Sequence, residues 1–211
     1  MRILSALAKN CLQSYLCIMS ERAPALETAA LRALAHPLRV RILDELSMYG
    51  PLTASGLGAR LGESSGATSY HLRQLEKHGL VAEDAGRGTA RERWWMRRPG
   101  SITLPAAHDQ PSGSAERLAT ELIDAEWMRR RDETVREFRA DGEQTFGPEW
   151  LDVASFDTVN LRLTAAELGE LMAELDAVIA RRLALPRSPS ARPVQLQVNA
   201  FPLVRGEADK E

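Results

Sequence analysis

The chain has 211 residues, 44% of them hydrophobic and 27% charged, with a formal net charge of −2. That balance fits a soluble globular protein able to bury a core, and the near-neutral total excludes a chain that is basic from end to end. Its two cysteines, Cys11 and Cys17, exclude a disulfide framework, Cys-x5-Cys is no metal spacing by itself, and a reducing, cytosolic compartment is the default.

Residues 1–18 resemble a targeting signal only superficially. Lys9 and Asn10 interrupt the apolar run, no small-residue cleavage site follows, and the stretch is too short and polar to span a bilayer. Leu4, Ala8, Leu12 and Leu16 fall on one helical stripe, so an amphipathic helix is one reading; a start at Met19, ahead of Ser20-Glu21-Arg22, is the other. Residues 29–35 then read as a short helix ended by His36-Pro37, because the residue before proline is pushed out of the α region. Pro37 opens a second helix at a position that tolerates it, with Leu38, Ile42, Leu43 and Leu46 toward a core and Arg39 and Arg41 directed elsewhere. Gly50-Pro51 ends it. Thr53 caps a third helix over 54–61, with Leu57 and Leu61 inward, and 62–65 is a turn whose serine caps the next helix.

That next helix, 65–77, is stopped by Gly79. At about 100° per residue, Thr68, Leu72 and Leu75 share one face. Tyr70, Arg73, Gln74 and Lys77 take the opposite face, with Ser69 and His71 on the flanks. A phenol, a guanidinium, an amide and an ammonium displayed together can reach base edges and phosphates in a major groove. After Leu80 the period switches to alternation. Residues 81–85 and 90–96 bracket Gly86-Arg87-Gly88-Thr89, a hairpin with Arg87 at its tip. On the return arm Arg91, Arg93 and Trp95 share one face, and Glu92, Trp94 and Met96 the other. The arginines make a finger of phosphate reach, able also to enter a minor groove. Residues 27–98 carry 11 Lys/Arg against 8 Asp/Glu, whereas 111–184 carry 9 against 16; only the first half is suited to a polyanion.

Leu34-Ala35-His36-Pro37-Leu38-Arg39-Val40-Arg41-Ile42-Leu43 resembles the opening of the ArsR-type winged-helix transcriptional regulators. Ser69, His71, Leu72, Leu75, Gly79, Leu80 and Val81 fill those regulators' recognition-helix pattern. The resemblance covers residues 29–98. It implies that 53–61 is the supporting helix, that 65–77 enters the major groove and that 87–93 forms the wing. The DNA-binding candidates are therefore Ser65, Thr68, Ser69, Tyr70, His71, Arg73, Gln74, Lys77, Arg87, Arg91 and Arg93. Metal-sensing members carry a Cys-x-Cys in the supporting helix, or Asp, His and Glu on the terminal dimer helix. Here 54–61 has no sulfur or imidazole and 114–146 no histidine, so metal sensing does not transfer.

Residues 99–113 read as a linker. A long helix follows from Ser114 to about Thr145, on which Leu118, Leu122, Ala125, Val135 and Phe138 trace one stripe, widened by Ile123 and Trp127. At about 45 Å it is too long for one small domain to bury, so a partner helix from a second subunit is expected, as in the resembled regulators. Arg129-Arg130-Arg131, interleaved with Asp132 and Glu133, reads as a solvated face. Residues 158–163 alternate with Val159, Leu161 and Leu163 inward. Thr164-Ala165-Ala166-Glu167 is a capping box opening a helix whose Leu168, Leu171, Met172, Leu175, Ile179 and Leu183 recur at three and four residues. Val194, Leu196, Val198 and Ala200 alternate again. This strand-helix-strand unit either extends the dimer interface or forms an effector pocket walled by Trp127, Phe138, Phe146 and Trp150.

The fold class expected is mainly α with a small β part (α+β). It comprises an N-terminal extension (1–22), a winged helix-turn-helix domain (23–98), a linker (99–113), a long dimerisation helix (114–150), a C-terminal strand-helix-strand unit (151–205) and a tail (206–211). The function expected is sequence-specific transcriptional regulation in the cytoplasm, as a dimeric repressor. Its partners would be double-stranded DNA, a second copy and an unidentified small-molecule effector, with no membrane and no cofactor. Catalysis is not expected: the sequence has no Gly-rich phosphate loop, no nucleophile–base–acid set and no clustered metal ligands. The competing reading is a winged-helix protein–protein interaction module without sequence-specific DNA binding, which the acidic carboxyl half permits.

Overall fold

A computed structural model describes residues 25–89, 92–99, 102–186 and 188–205. The expectations for 1–22, for 206–211 and for Arg91 lie outside the described residues. In chain order the elements are α1 (Thr28–Leu34), α2 (Pro37–Tyr49), β1 (Leu52–Thr53), α3 (Ala54–Leu61), α4 (Ser65–Lys77), β2 (Val81–Thr89), β3 (Glu92–Arg97), a 3-10 turn at Ala107–Asp109, α5 (Ala115–Thr145), α6 (Pro148–Leu151) and α7 (Ala165–Ala184). The class is α+β with a winged helix-turn-helix domain. Among the described residues no helix is long and apolar enough to cross a membrane.

Local chemistry sets the helix boundaries. The Thr53 hydroxyl accepts from Gly56 N at 3.1 Å, Ser64 from Ala67 N at 3.1 Å, and Ser114 from Arg117 N at 3.1 Å, each cap contributing about 1 kcal/mol. His36 caps α2 through Nδ1, which accepts from Leu38 N at 3.2 Å. Gly62 and Gly79, at φ +70, close α3 and α4 in the left-handed region. Leu34, Ile42, Leu43, Leu57, Leu72, Leu75 and Val81 form the centre of the core, the stripes the sequence predicts for α2, α3 and α4. Thr68 also belongs there: it is fully buried, and its hydroxyl donates to Ala54 O at 2.7 Å.

The sheet has the order β1-β3-β2. β1, not expected from the sequence, pairs Leu52 with Trp95 and Thr53 with Trp94; two residues are too few to show a period. The hairpin register also differs from the expected one. Thr89 pairs with Glu92 and Gly88 with Arg93, then the register shifts before Glu83 meets Trp95. The turn therefore lies beyond Thr89, and Arg87 sits on the bulged part of β2 instead of at the tip. Among the described residues only Gly50, Gly62, Gly79 and Gly113 have positive φ, so Gly86 is not the turn-maker its type suggested. Trp95 is buried whereas Arg93, two residues earlier, is exposed. The hairpin leaves the body between them.

The described residues of 102–113 lie against the core. Leu26 N donates to Thr103 O at 2.9 Å, Ile102 and Leu104 pack on the core, and Gln110 Nε2 donates to Pro105 O at 3.3 Å and Thr120 Oγ1 at 3.2 Å. α5 lies against α1 and α2 through Ala119, Thr120, Ile123, Glu126 and Trp127. The expected dimer stripe is thus divided. Leu118, Leu122 and Ala125 are exposed, Val135 is half-buried, and Phe138 packs within the chain, 5.8 Å from both Phe146 and Phe156. Trp150 joins that cluster through Phe146. Trp127 lies elsewhere, lining a cavity of about 320 Å³ with Asp44, Arg97, Arg130, Arg131 and Gln195, so the four aromatics expected to wall one pocket belong to two places. Arg129 pairs with Glu126 and Glu133. Arg130, expected on a solvated face, is largely buried and bonded to Glu45.

The capping box at Thr164 and Glu167 forms as expected and opens α7. The strands beside it do not. Neither 158–163 nor 194–200 is in a strand, and Val159, Leu161 and Leu163, expected inward, are exposed. An alternating segment becomes a strand only where it joins a backbone hydrogen-bond ladder, and neither segment joins the described sheet.

Candidate nucleic-acid interface

The candidate surface is built on α4, whose apolar side is held in the core. With Thr68, Leu72 and Leu75 fully buried, helical geometry places Tyr70, Arg73 and Lys77 outward, and all three are exposed. Ser69, His71 and Gln74 are half-buried on its flanks, and Ser65 is exposed in the first turn. Thr68 is a correction to the candidate set: with no exposed surface and its hydroxyl committed to the Ala54 carbonyl, it fixes α4 on α3 and cannot touch a ligand. The turn between these helices is equally constrained, since Glu63 N donates to Gly58 O at 2.9 Å.

The wing adjoins this helix. A groove of about 310 Å³ is lined by Ser55, Ser65, Ser69 and Arg73 on one side and by Glu92, Arg93 and Trp95 on the other. With Thr53 it joins α3, α4 and β3 into one groove lined by four hydroxyl residues, two guanidinium groups and the Glu92 carboxylate. Arg93 lies 3.6 Å from Glu83, and Arg87 lies 3.4 Å from Asp84 with its guanidinium 5.8 Å from the Trp94 ring. The Arg93–Glu83 contact is exposed on both sides and contributes roughly 0–1 kcal/mol, whereas the Asp84 carboxylate that holds Arg87 is only 15% exposed.

Midway along α4 the structure adds residues that periodicity did not assign. His36 and His71 approach with ring centroids 4.5 Å apart, and Tyr70 meets His71 edge-on at 5.2 Å. Burial, then Arg39, holds the His36 imidazole below the ordinary histidine value; burial, then His36 and Arg39, does the same for His71. Both rings are therefore neutral at neutral pH. Burial likewise lowers Arg39, while Tyr70 acts to raise it. Arg39, directed away from the core by its helix, is thus beside Tyr70 and His71, and Ser55 is beside Ser65 and Ser69. Only tertiary proximity reveals these two.

Residues 34–84 match a family model described as a helix-turn-helix domain. Among solved structures, reduced HlyU from Vibrio cholerae N16961 is similar at 27% identity over 45% of this chain and 81% of its own, with a TM-score of 0.28. The transcriptional regulator Tm0710 from Thermotoga maritima is similar at 15% identity over 88% of this chain and 96% of its own, with a TM-score of 0.29. No curated protein matches the chain.

Proposed function

We propose that this protein is a sequence-specific, dimeric transcriptional regulator acting as a repressor. The observation that carries the reading is that α4 exposes Tyr70, Arg73 and Lys77 opposite a face locked in the core, and that Arg73 shares a groove with Arg93 of the wing. The domain match over 34–84 supports it. In this reading α4 enters the major groove and the wing arginines hold phosphates. The exposed Leu118, Leu122 and Ala125 on α5 contribute to a dimer, which sets two recognition helices about 34 Å apart on a pseudo-palindromic site. The cavity beside Asp44 is walled by α2, β3 and α5, and a small molecule seated there would bias the spacing of the two helices.

Fluorescence anisotropy tests the reading. The full chain is titrated onto the DNA upstream of its own gene and onto a scrambled duplex, across a range of salt. Submicromolar binding to the first, at least a hundredfold weaker binding to the second and a steep salt slope are expected. Equal affinity for both duplexes, or no binding in dilute salt, overturns it.

A further inference from the structure

The cavity of about 320 Å³ between α2, β3 and α5 is at the lower end of the range of small-ligand sites, about 300–1,000 Å³. Its wall is of two kinds. Leu43, Met48, Ile102 and Trp127 supply apolar surface, while Arg97, Arg130 and Arg131 bring three guanidinium groups against one carboxyl, Asp44. The Gln195 carbonyl oxygen already accepts from Thr134 Oγ1 at 2.8 Å and from Gln197 Nε2 at 2.6 Å. That leaves its amide N–H groups to act at the cavity.

Two of the donors on this wall lack an acceptor. Arg130 gives its Nη atoms to Glu45 at 2.8 Å and Glu133 at 3.1 Å, but its buried Nε has no hydrogen-bond partner among the described residues. A buried donor left unmatched is uncommon in folded proteins and calls for a partner. Arg131 is half-buried and forms no ion pair with a described residue. Its charge is felt by Asp44, which lines the same cavity, without a bond between the two.

These groups select the sign of what enters. A cation would bring its charge to three guanidinium groups. An uncharged apolar molecule would strip water from Arg131 and the Arg130 Nε and return no acceptor. A carboxylate supplies two acceptor oxygens, which suit guanidinium N–H groups. Asp44 opposes it only weakly, because burial already pushes its carboxyl up to about 6. A neighbouring anion favours the protonated form further, and a protonated Asp44 donates a hydrogen bond. Residues 1–24 carry three basic side chains and one acidic, the wrong sign for this wall. Residues 206–211 carry Glu207, Asp209 and Glu211 against Lys210, so the acidic stretch is the competitor to be tested.

We propose that this cavity binds a small organic carboxylate, with Arg131 taking its charge and Leu43, Met48 and Trp127 holding its apolar body. The proposal gives a chemistry to the effector of the regulator reading, and rests on that reading only for what the bound molecule does to DNA binding.

Isothermal titration of the full chain with benzoate, hexanoate and benzamide, in the absence of DNA, tests it. Both carboxylates are expected to bind with a Kd of about 1 mM or tighter, and uncharged benzamide about tenfold more weakly. Arg131→Met, which keeps an apolar stem, is expected to weaken benzoate about tenfold at an unchanged urea midpoint. Asp44→Asn, which removes the opposing charge and keeps a hydrogen-bonding group, is expected to tighten it about threefold. Absence of binding by either carboxylate at about 10 mM, equal binding of benzamide, or indifference to both substitutions overturns the proposal. Binding seen only in a chain shortened to Arg205 also overturns it, by making residues 206–211 the occupant. A chain that takes benzoate and ignores DNA keeps the site and loses the regulator reading; one that binds DNA and ignores benzoate loses only the site.

Discussion

Glu45 Oε1 accepts a hydrogen bond from Arg130 Nη2 at 2.8 Å, joining α2 to α5 across 85 positions of sequence. The other oxygen of the same carboxylate accepts from Arg60 on α3, and the Glu45 side chain is only 5% exposed. One buried carboxylate thus ties α3 of the helix-turn-helix domain and the long helix α5 to α2.

Removing one member of a buried charge set leaves the others uncompensated, at a cost of roughly 3–5 kcal/mol. Glu45→Gln is expected to lower stability to urea by about 3 kcal/mol. Glu45→Leu combined with Arg130→Met should recover much of that loss, because no buried charge is stranded. A urea midpoint for Glu45→Gln equal to that of the parent would show the set to be screened by water.

Asp44 lies one position earlier and behaves oppositely. Burial, opposed by Arg130 and by a hydrogen bond from Trp127, pushes its carboxyl up to about 6 from an ordinary 3.8. The native state therefore holds a proton that the unfolded state has released between those values. Stability from this group falls as pH rises from about 4 through 6, and the full penalty, on the order of 3 kcal/mol, applies above. Asp44→Asn is expected to raise the melting temperature at pH 7.5 and to change it little at pH 4. An unchanged difference between the two pH values would exclude Asp44 as its source.

Gly58 sits where the turn of the helix-turn-helix folds back. A β-carbon there would meet the Glu63 carbonyl oxygen at 2.6 Å, too close for any side chain without moving backbone. Gly58→Ala is expected to cost about 1–3 kcal/mol and, by shifting α4, to weaken DNA binding. Gly66→Ala, with its nearest neighbour at 3.9 Å, should be tolerated. Thermal melts of the two variants side by side decide the matter.

The two parts of the proposed DNA surface should respond differently to truncation. Arg93→Ala is expected to weaken binding alike for all duplexes and to reduce the salt slope by about 0.9, one phosphate contact. Arg73→Ala is expected to cost about 1–3 kcal/mol on the preferred site and less on a scrambled one. Anisotropy on both duplexes at several salt concentrations separates the patterns; identical behaviour of the two variants would put them in the same role.

The helices, their caps and their core faces were legible because each depends on neighbours within one or two turns. Thr53, Ser64, Ser114 and Thr164 announce helix starts by their own side-chain chemistry, and the spacing of Leu72 and Leu75 fixes which side of α4 is free. What failed were inferences from local composition about distant partners. Gly86 and Gly88 suggested a turn that lies further on, because strand register is set by the opposite strand. Residues 99–113 looked like a free linker, yet Ile102 and Leu104 find the core. Arg130 looked solvated until α2 brought Glu45 to it.

By itself the sequence determined the order of the helices of the winged domain, the buried faces of α2, α3 and α4 and the exposure of Tyr70, Arg73 and Lys77 on α4, since a helix's periodicity is a property of its own residues. Tertiary structure alone decided that Thr68 is a packing residue, that Arg39 and Ser55 adjoin the candidate surface, and that α5 spends its Ile123 face on α2 and leaves Leu118 and Leu122 bare. Side-chain burial depends on what arrives from elsewhere in the chain, and a linear pattern carries the demand for a partner without naming it.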